Sequence, residues 1–146
     1  MTTEIAPEAS EASEKLDARV FIIAGVVVLG SIMSILDITV VGVALRTFQE
    51  QFHATTAQVA WTMTGYTLAL AAVIPLTGWA ADRFGTKRLY MLAILLFVLG
   101  SVLCSTAGSL SLLVTYRVLQ GLGGGMLMPL GMTILTRAAG QVIPGA

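Results

Sequence analysis

Two ionisable side chains stand where an apolar chain should carry no charge. Asp37 lies in the run VFIIAGVVVLGSIMSILDITVVGVAL (20–45), and Arg117 lies in LSLLVTYRVLQGLGGGMLMPLGMTILT (110–136). Charges buried this deeply in apolar sequence face a bundle interior or a cavity and mark ion or proton pathways. A carboxylate beside a guanidinium in such a place can bind and release a proton, with its affinity modulated by the guanidinium and by a ligand sharing the cavity. A static ion pair pinning two helices together is the alternative. Thr39 lies two residues beyond Asp37 and Gln120 three beyond Arg117, so a hydroxyl and an amide are available to line the same cavity.

A second concentration of charge is GWAADRFGTKR, residues 78–88, where Asp82, Arg83, Lys87 and Arg88 fall within seven residues between two apolar runs. A third feature is the glycine-rich stretch after Arg117. Arg117, Gly121 and Gly125 are four apart and share a helix face, and Gly121 with Gly125 forms a GxxxG pair that admits another helix closely. Pro75 and Pro129 are expected to kink their helices. A phosphate-binding loop is excluded, because GLGGG lies inside an apolar run and not between a strand and a helix. The single cysteine, Cys104, cannot form an internal disulfide and reads as a small hydrophobe. Tyr66, Trp61 and the methionines of 110–136 read as packing or lipid-facing residues, and His53 as a surface histidine. No catalytic triad, metal-ligand cluster or cofactor loop is present, so the sequence reads as neither an enzyme nor a cofactor or metal binder.

The elements that position these residues follow from composition. The chain has 146 residues, 56% hydrophobic and 11% charged, with a mean hydropathy of +0.88; ordinary soluble domains carry roughly 25% charge. This is an all-α membrane protein. Balanced charge without a basic tract argues against a nucleic-acid partner. A membrane-crossing helix needs about 20 mostly apolar residues, and four stretches qualify, at about 20–45, 58–80, 89–107 and 110–136. Together they make a transmembrane region over 19–137. Residues 1–18, acidic and rich in alanine and serine, read as a disordered tail, and 138–146 as a short, truncated tail. If the spans alternate, Lys15, Arg19, Arg83, Lys87, Arg88 and Arg137 share one side and Arg46 lies on the other. The basic side is cytoplasmic, and so is the N-terminus. Asp37 then lies eight residues from the outer end of its span and Arg117 seven. At a rise of 1.5 Å these are depths of about 12 Å and about 10 Å, so the two charges can share one cavity if their spans are neighbours.

Three motifs carry a family resemblance. Gly78-x-x-Ala81-Asp82-Arg83-x-Gly85-x-Lys87 resembles the signature loop between spans two and three of the major facilitator superfamily. Arg117-x-x-Gln120-Gly121-x-Gly123 resembles the span-four signature of its drug:proton antiporters, and Leu36-Asp37-x-Thr39-x-Val41-x-Val43-Ala44-Leu45 resembles the span-one signature of the fourteen-span branch. Thr86 stands where that loop usually has arginine, Ala80 where it has leucine, and Gly42 and Arg46 replace a common asparagine and proline. The resemblance implies that the four spans begin a major facilitator N-terminal bundle. By it, Asp37 and Arg117 serve proton coupling. Gly78, Asp82, Arg83, Gly85 and Lys87 form a conformational latch at the cytoplasmic face, Gly121 and Gly125 serve helix packing, and Thr39 and Gln120 line the substrate cavity.

The implied protein is the N-terminal part of a proton-coupled multidrug efflux transporter in a bacterial cytoplasmic (inner) membrane. It exchanges small lipophilic, often cationic compounds for protons and is not transport-competent without the rest of the transporter. The other reading is a truncated remnant, or an assembly piece that pairs with a separately encoded remainder.

Overall fold

The computed structural model describes residues 7–140, with side chains from Ala18 onward. It contains four helices, α1 (Pro7–Phe52), α2 (Thr56–Phe84), α3 (Thr86–Ser105) and α4 (Leu110–Gly140), and no strand among the described residues. All four are long and apolar enough to cross a membrane, over Ala18–Phe52, Thr56–Phe84, Thr86–Ser105 and Leu110–Gly140. Hydrocarbon offers no partner to backbone N–H and C=O groups, so an apolar run of this length satisfies them internally as a helix. The 29 residues of α2 and the 31 of α4 span about 44 and 46 Å at 1.5 Å per residue. Both exceed the roughly 30 Å hydrocarbon core, so tilt or projecting ends must take up the excess.

α1, α2 and α4 run further than their apolar runs suggest and the first two links are correspondingly shorter, whereas α3 starts earlier, at Thr86, and ends at Ser105, two residues short of the expected 107. α1 continues through Phe52, which places Arg46 and Glu50 on a helix as an exposed i,i+4 pair at 3.7 Å. His53, with φ 49°, ends it. Thr55 then caps α2: its Oγ1 accepts from the Gln58 N–H at 3.3 Å, and its own N–H donates to Gln58 Oε1 at 2.9 Å. This reciprocal box satisfies two otherwise unpaired donors. At the other end of α1, the helix begins at Pro7, within the segment whose composition reads as a disordered tail; residues 1–6 lie outside the described residues. α4 runs on to Gly140, and the rest of the expected C-terminal tail, 141–146, also lies outside them.

The charged stretch 81–88 is not an open loop. Gly85 alone separates α2 from α3, with φ 89° and its N–H donating to Ala81 O at 2.9 Å. That conformation is costly for any residue with a Cβ. Asp82 and Arg83 therefore belong to the last turn of α2, and Lys87 and Arg88 to the first turn of α3.

α4 is the centre of the bundle. It packs against α2 and α3, and less extensively against α1, which scarcely meets α3. Glycine sets this closeness. A Cβ on Gly121 would lie 2.5 Å from the Tyr66 carbonyl, and one on Gly125 2.6 Å from the Leu70 carbonyl, both on α2. On another face, a Cβ on Gly123 would lie 2.7 Å from the Ala93 carbonyl of α3. Tyr66, Leu89, Tyr90, Ala93, Phe97, Met126, Leu127 and Leu130 fill the core these contacts enclose. α1 contributes little to that core and leaves Phe21, Leu29, Val40 and Val43 well exposed.

Candidate functional site

The site is a buried polar cluster where α1, α2 and α4 meet. Arg117 and Gln120 are three apart on α4 and project from one face. Thr62 and Tyr66 are four apart on α2, and Asp37 comes from α1. Arg117 is 2% exposed and the Asp37 side chain 15%. Arg117 Nη1 donates to Asp37 Oδ2 at 2.5 Å and to Gln120 Oε1 at 2.9 Å, while Nε donates to the Thr62 carbonyl at 3.4 Å. Gln120 Nε2 donates to the other carboxylate oxygen, Asp37 Oδ1, at 2.8 Å. The Arg117 guanidinium carbon stands 4.2 Å above the centre of the Tyr66 ring. Cys104 of α3 closes the far side, with Sγ 3.8 Å from Gln120 Oε1.

Charge pairing, hydrogen bonding and a cation–π contact thus act on one guanidinium. Bonds in which both partners are ionised are roughly twice as strong as neutral ones, and a cation over an aromatic face gains further when removed from water. Both Asp37 oxygens are engaged, one by the cation and one by the amide. The orientation of Gln120 is fixed by this arrangement: its oxygen faces Arg117, so its NH₂ must face an acceptor at position 37. Glycines make the room. A Cβ on Gly124 would lie 2.7 Å from the Tyr66 hydroxyl, and one on Gly100 2.7 Å from Gln120 Cβ.

The structure brings together Asp37, Arg117 and Gln120 but leaves Thr39 out. Thr39 is exposed and donates to the Ile35 carbonyl of its own helix at 3.1 Å. Asp82, Arg83 and Lys87 lie exposed around Gly85, away from the cluster, and Asp82 forms no salt bridge among the described residues. Gly78 does not mediate a close approach within these four helices: a Cβ there would meet nothing within 4 Å. Near Gly85, Arg137 Nη1 donates to Thr86 Oγ1 at 3.2 Å, tying the end of α4 to the start of α3. A groove of about 990 Å³ opens here between α1 and the α3 and α4 ends, and Arg19, Lys87, Arg88, Tyr90 and Arg137 are among its lining residues.

Sequence reasoning missed Tyr66, Thr62 and Cys104 as members of the site. The i,i+4 spacing of Thr62 and Tyr66 was the available signal, and it is indistinguishable from ordinary packing until the partner helix is placed.

Comparisons with known proteins point to one family. The family model described as Major Facilitator Superfamily matches residues 27–141. The chain is 58% identical over 127 residues to the multidrug resistance protein B homolog of Mycobacterium tuberculosis, a match covering 87% of this chain and 24% of the relative. It is 38% identical over 117 residues to the putative multidrug resistance protein MdtD of Salmonella paratyphi B, covering 77% of this chain and 25% of that one. The chain spans about a quarter of the length of the curated relatives it matches.

Proposed function

The chain belongs to the major facilitator superfamily, whose members are transporters rather than enzymes, and from that premise we propose that it is the N-terminal part of a proton-coupled multidrug efflux transporter. Its cargo is small, lipophilic and often cationic, exchanged for protons across a bacterial cytoplasmic membrane. Transport requires the rest of the transporter, because alternating access rocks one helical repeat against another around a site near the midplane.

The observation that carries the reading is the buried Asp37–Arg117–Gln120 cluster. With Asp37 ionised, α1 is tied to α4 through two bonds to one carboxylate. A proton on Asp37 removes the charge from that tie while leaving Arg117 its bonds to Gln120 and Thr62. A cationic substrate near Asp37 would compete with Arg117 for the same carboxylate. Proton and substrate therefore act on one joint between two helices. The names of the two relatives, a multidrug resistance protein B homolog and a putative multidrug resistance protein, support the cargo class.

Asp82, Arg83 and Lys87 are assigned the latch role. Their exposure at the α2–α3 joint leaves them available to a partner beyond these four helices, and the tight turn at Gly85 holds them together. The collection of Arg19, Lys87, Arg88 and Arg137 around one groove, with Arg46 at the far end of α1, supports a cytoplasmic N-terminus. The deciding experiment is Asp37→Asn in the full-length transporter, with efflux driven by a pH gradient in everted membrane vesicles. Proton-driven efflux should be lost. Efflux that keeps its full dependence on the pH gradient refutes the coupling role of Asp37.

A further inference from the structure

Two hydroxyls beside the charge cluster lack a hydrogen-bond partner among the described residues. Tyr66 Oη and Ser34 Oγ are both shielded from solvent, and neither makes a hydrogen bond among the described residues. Tyr66 as a whole is 1% exposed. The two hydroxyls face each other without meeting the geometry of a hydrogen bond, and the Tyr66 hydroxyl is seated against Gly124, where a Cβ would come within 2.7 Å. Buried polar atoms in native proteins are almost always bonded to protein or to ordered water. A water held this way makes two to four bonds to polar groups that protein leaves unpaired. Ser34 precedes Asp37 by three residues, so both lie on one face of α1.

The same face continues away from the cluster. Gly30 is four residues before Ser34, and a Cβ there would lie 2.8 Å from the Tyr90 hydroxyl. Tyr90 donates to the Val26 carbonyl at 3.3 Å and lines the groove at the end of the bundle that holds Gly85. Oxygen-bearing groups thus follow one another along α1 from Asp37, through Ser34 and Tyr66, to Tyr90. The titratable and charged groups facing Asp37 are Arg117 of α4, Tyr66 of α2 and Cys104 of α3. Arg117 Nη1 and Gln120 Nε2 take up Oδ2 and Oδ1 of the carboxylate, and the Ser34 and Tyr66 hydroxyls are the nearby polar groups without a hydrogen bond among the described residues.

We propose that the Ser34 and Tyr66 hydroxyls hold a water molecule that is the proton partner of Asp37 and opens its exchange toward the groove beside Tyr90. The inference rests on the proton-coupling reading above and deepens it. The proton released by Asp37 bonds to the water oxygen, and one of the water's own protons passes to the next oxygen toward the groove. The water is left unchanged, and no other reactant is needed. Ser34 and Tyr66 are positioning residues in this step, because they hold the water and not the carboxylate.

The test is pH-difference infrared spectroscopy on the full chain in lipid nanodiscs, recorded in H₂¹⁶O and H₂¹⁸O. The wild type should show a carboxyl band that Asp37→Asn removes, together with an O–H band that shifts with oxygen isotope. Tyr66→Phe keeps the ring beneath Arg117 and deletes only the hydroxyl. It and Ser34→Ala should each lose the isotope-sensitive band, while the carboxyl response remains but at a displaced midpoint pH. Two variants on different helices guard against one that fails to fold. A wild-type carboxyl response without an isotope-sensitive band overturns the inference alone. So does a water band that survives Tyr66→Phe combined with Ser34→Ala. Absence of any carboxyl response removes the coupling reading, and this inference with it.

Discussion

The two ends of the buried ion pair should respond unequally to mutation. Arg117 is 2% exposed and bonds to Asp37, Gln120 and Thr62. A guanidinium cannot deprotonate in a protein, so Asp37→Leu strands a cation that has no way to become neutral. Breaking a buried pair from one side costs about 3–5 kcal/mol. Arg117→Met strands a carboxylate instead, but that group can take up a proton, and Gln120 Nε2 still donates to it. Its loss should be nearer the value of a hydrogen bond to a charged group, about 1.5–3 kcal/mol, and should shrink as the pH falls. Replacing both partners by apolar residues is often close to neutral. The double variant Asp37→Leu/Arg117→Met should therefore recover most of what Asp37→Leu loses. The assay is unfolding of the purified chain in mixed micelles by titration with SDS, followed by the fluorescence of Trp61 and Trp79 and by helical circular dichroism. Additive single effects, or a double variant weaker than Asp37→Leu, would refute the argument that the charges are held by each other.

The glycines give a contrast between two roles. Gly121→Ala and Gly123→Ala each drive a Cβ into backbone of a neighbouring helix, at 2.5 and 2.7 Å, and should lower stability by about 1–3 kcal/mol, the usual range for overpacking, in the same SDS titration. Gly78→Ala meets nothing within 4 Å and should be neutral or gain about 0.5–1 kcal/mol from helix propensity; destabilisation of the isolated chain would show that Gly78 is a packing residue here. Asp82→Asn should leave the stability of this chain unchanged, since Asp82 is exposed without a salt bridge among the described residues. In the full-length transporter it should slow transport, and transport at the wild-type rate would remove the latch assignment.

What the sequence disclosed depended on how directly a residue's environment is set by the chain itself. The spans were legible because hydrocarbon dictates a length and composition that local sequence must meet. The meeting of Asp37 with Arg117 was legible because rise per residue converts position into depth. The cation–π contact of Tyr66 was not, because a tyrosine on an apolar helix face looks the same whether a neighbour brings a guanidinium or a leucine. The glycine run was half legible. Fourfold spacing found the face toward α2, Gly121 and Gly125. Gly123 and Gly124 serve other contacts, with α3 and the Tyr66 hydroxyl, and consecutive glycines turn through successive faces that no single period selects. The 78–88 stretch misled by its polarity: charges crowded together suggested a loop, whereas one glycine with positive φ suffices to end α2 and begin α3.

The distribution of packing bears on how proton exchange could move a helix. α2, α3 and α4 are joined by glycine contacts in which backbone approaches backbone, and such interfaces cannot slide without clashes. α1 has fewer contacts with the others, and much of its apolar surface faces outward. Its polar link to the bundle core is concentrated at Asp37, with the Tyr90 hydroxyl on the Val26 carbonyl as a second anchor about three turns away. Under the proton-coupling reading, a charge change at Asp37 therefore acts on the interface least fixed by packing. The same proton placed in the α2–α4 seam would work against the close backbone contacts at Gly121 and Gly125. In that reading, a carboxylate on the loosely packed helix, held by an arginine on the more closely packed one, puts the proton site where a small change in free energy can shift a helix position.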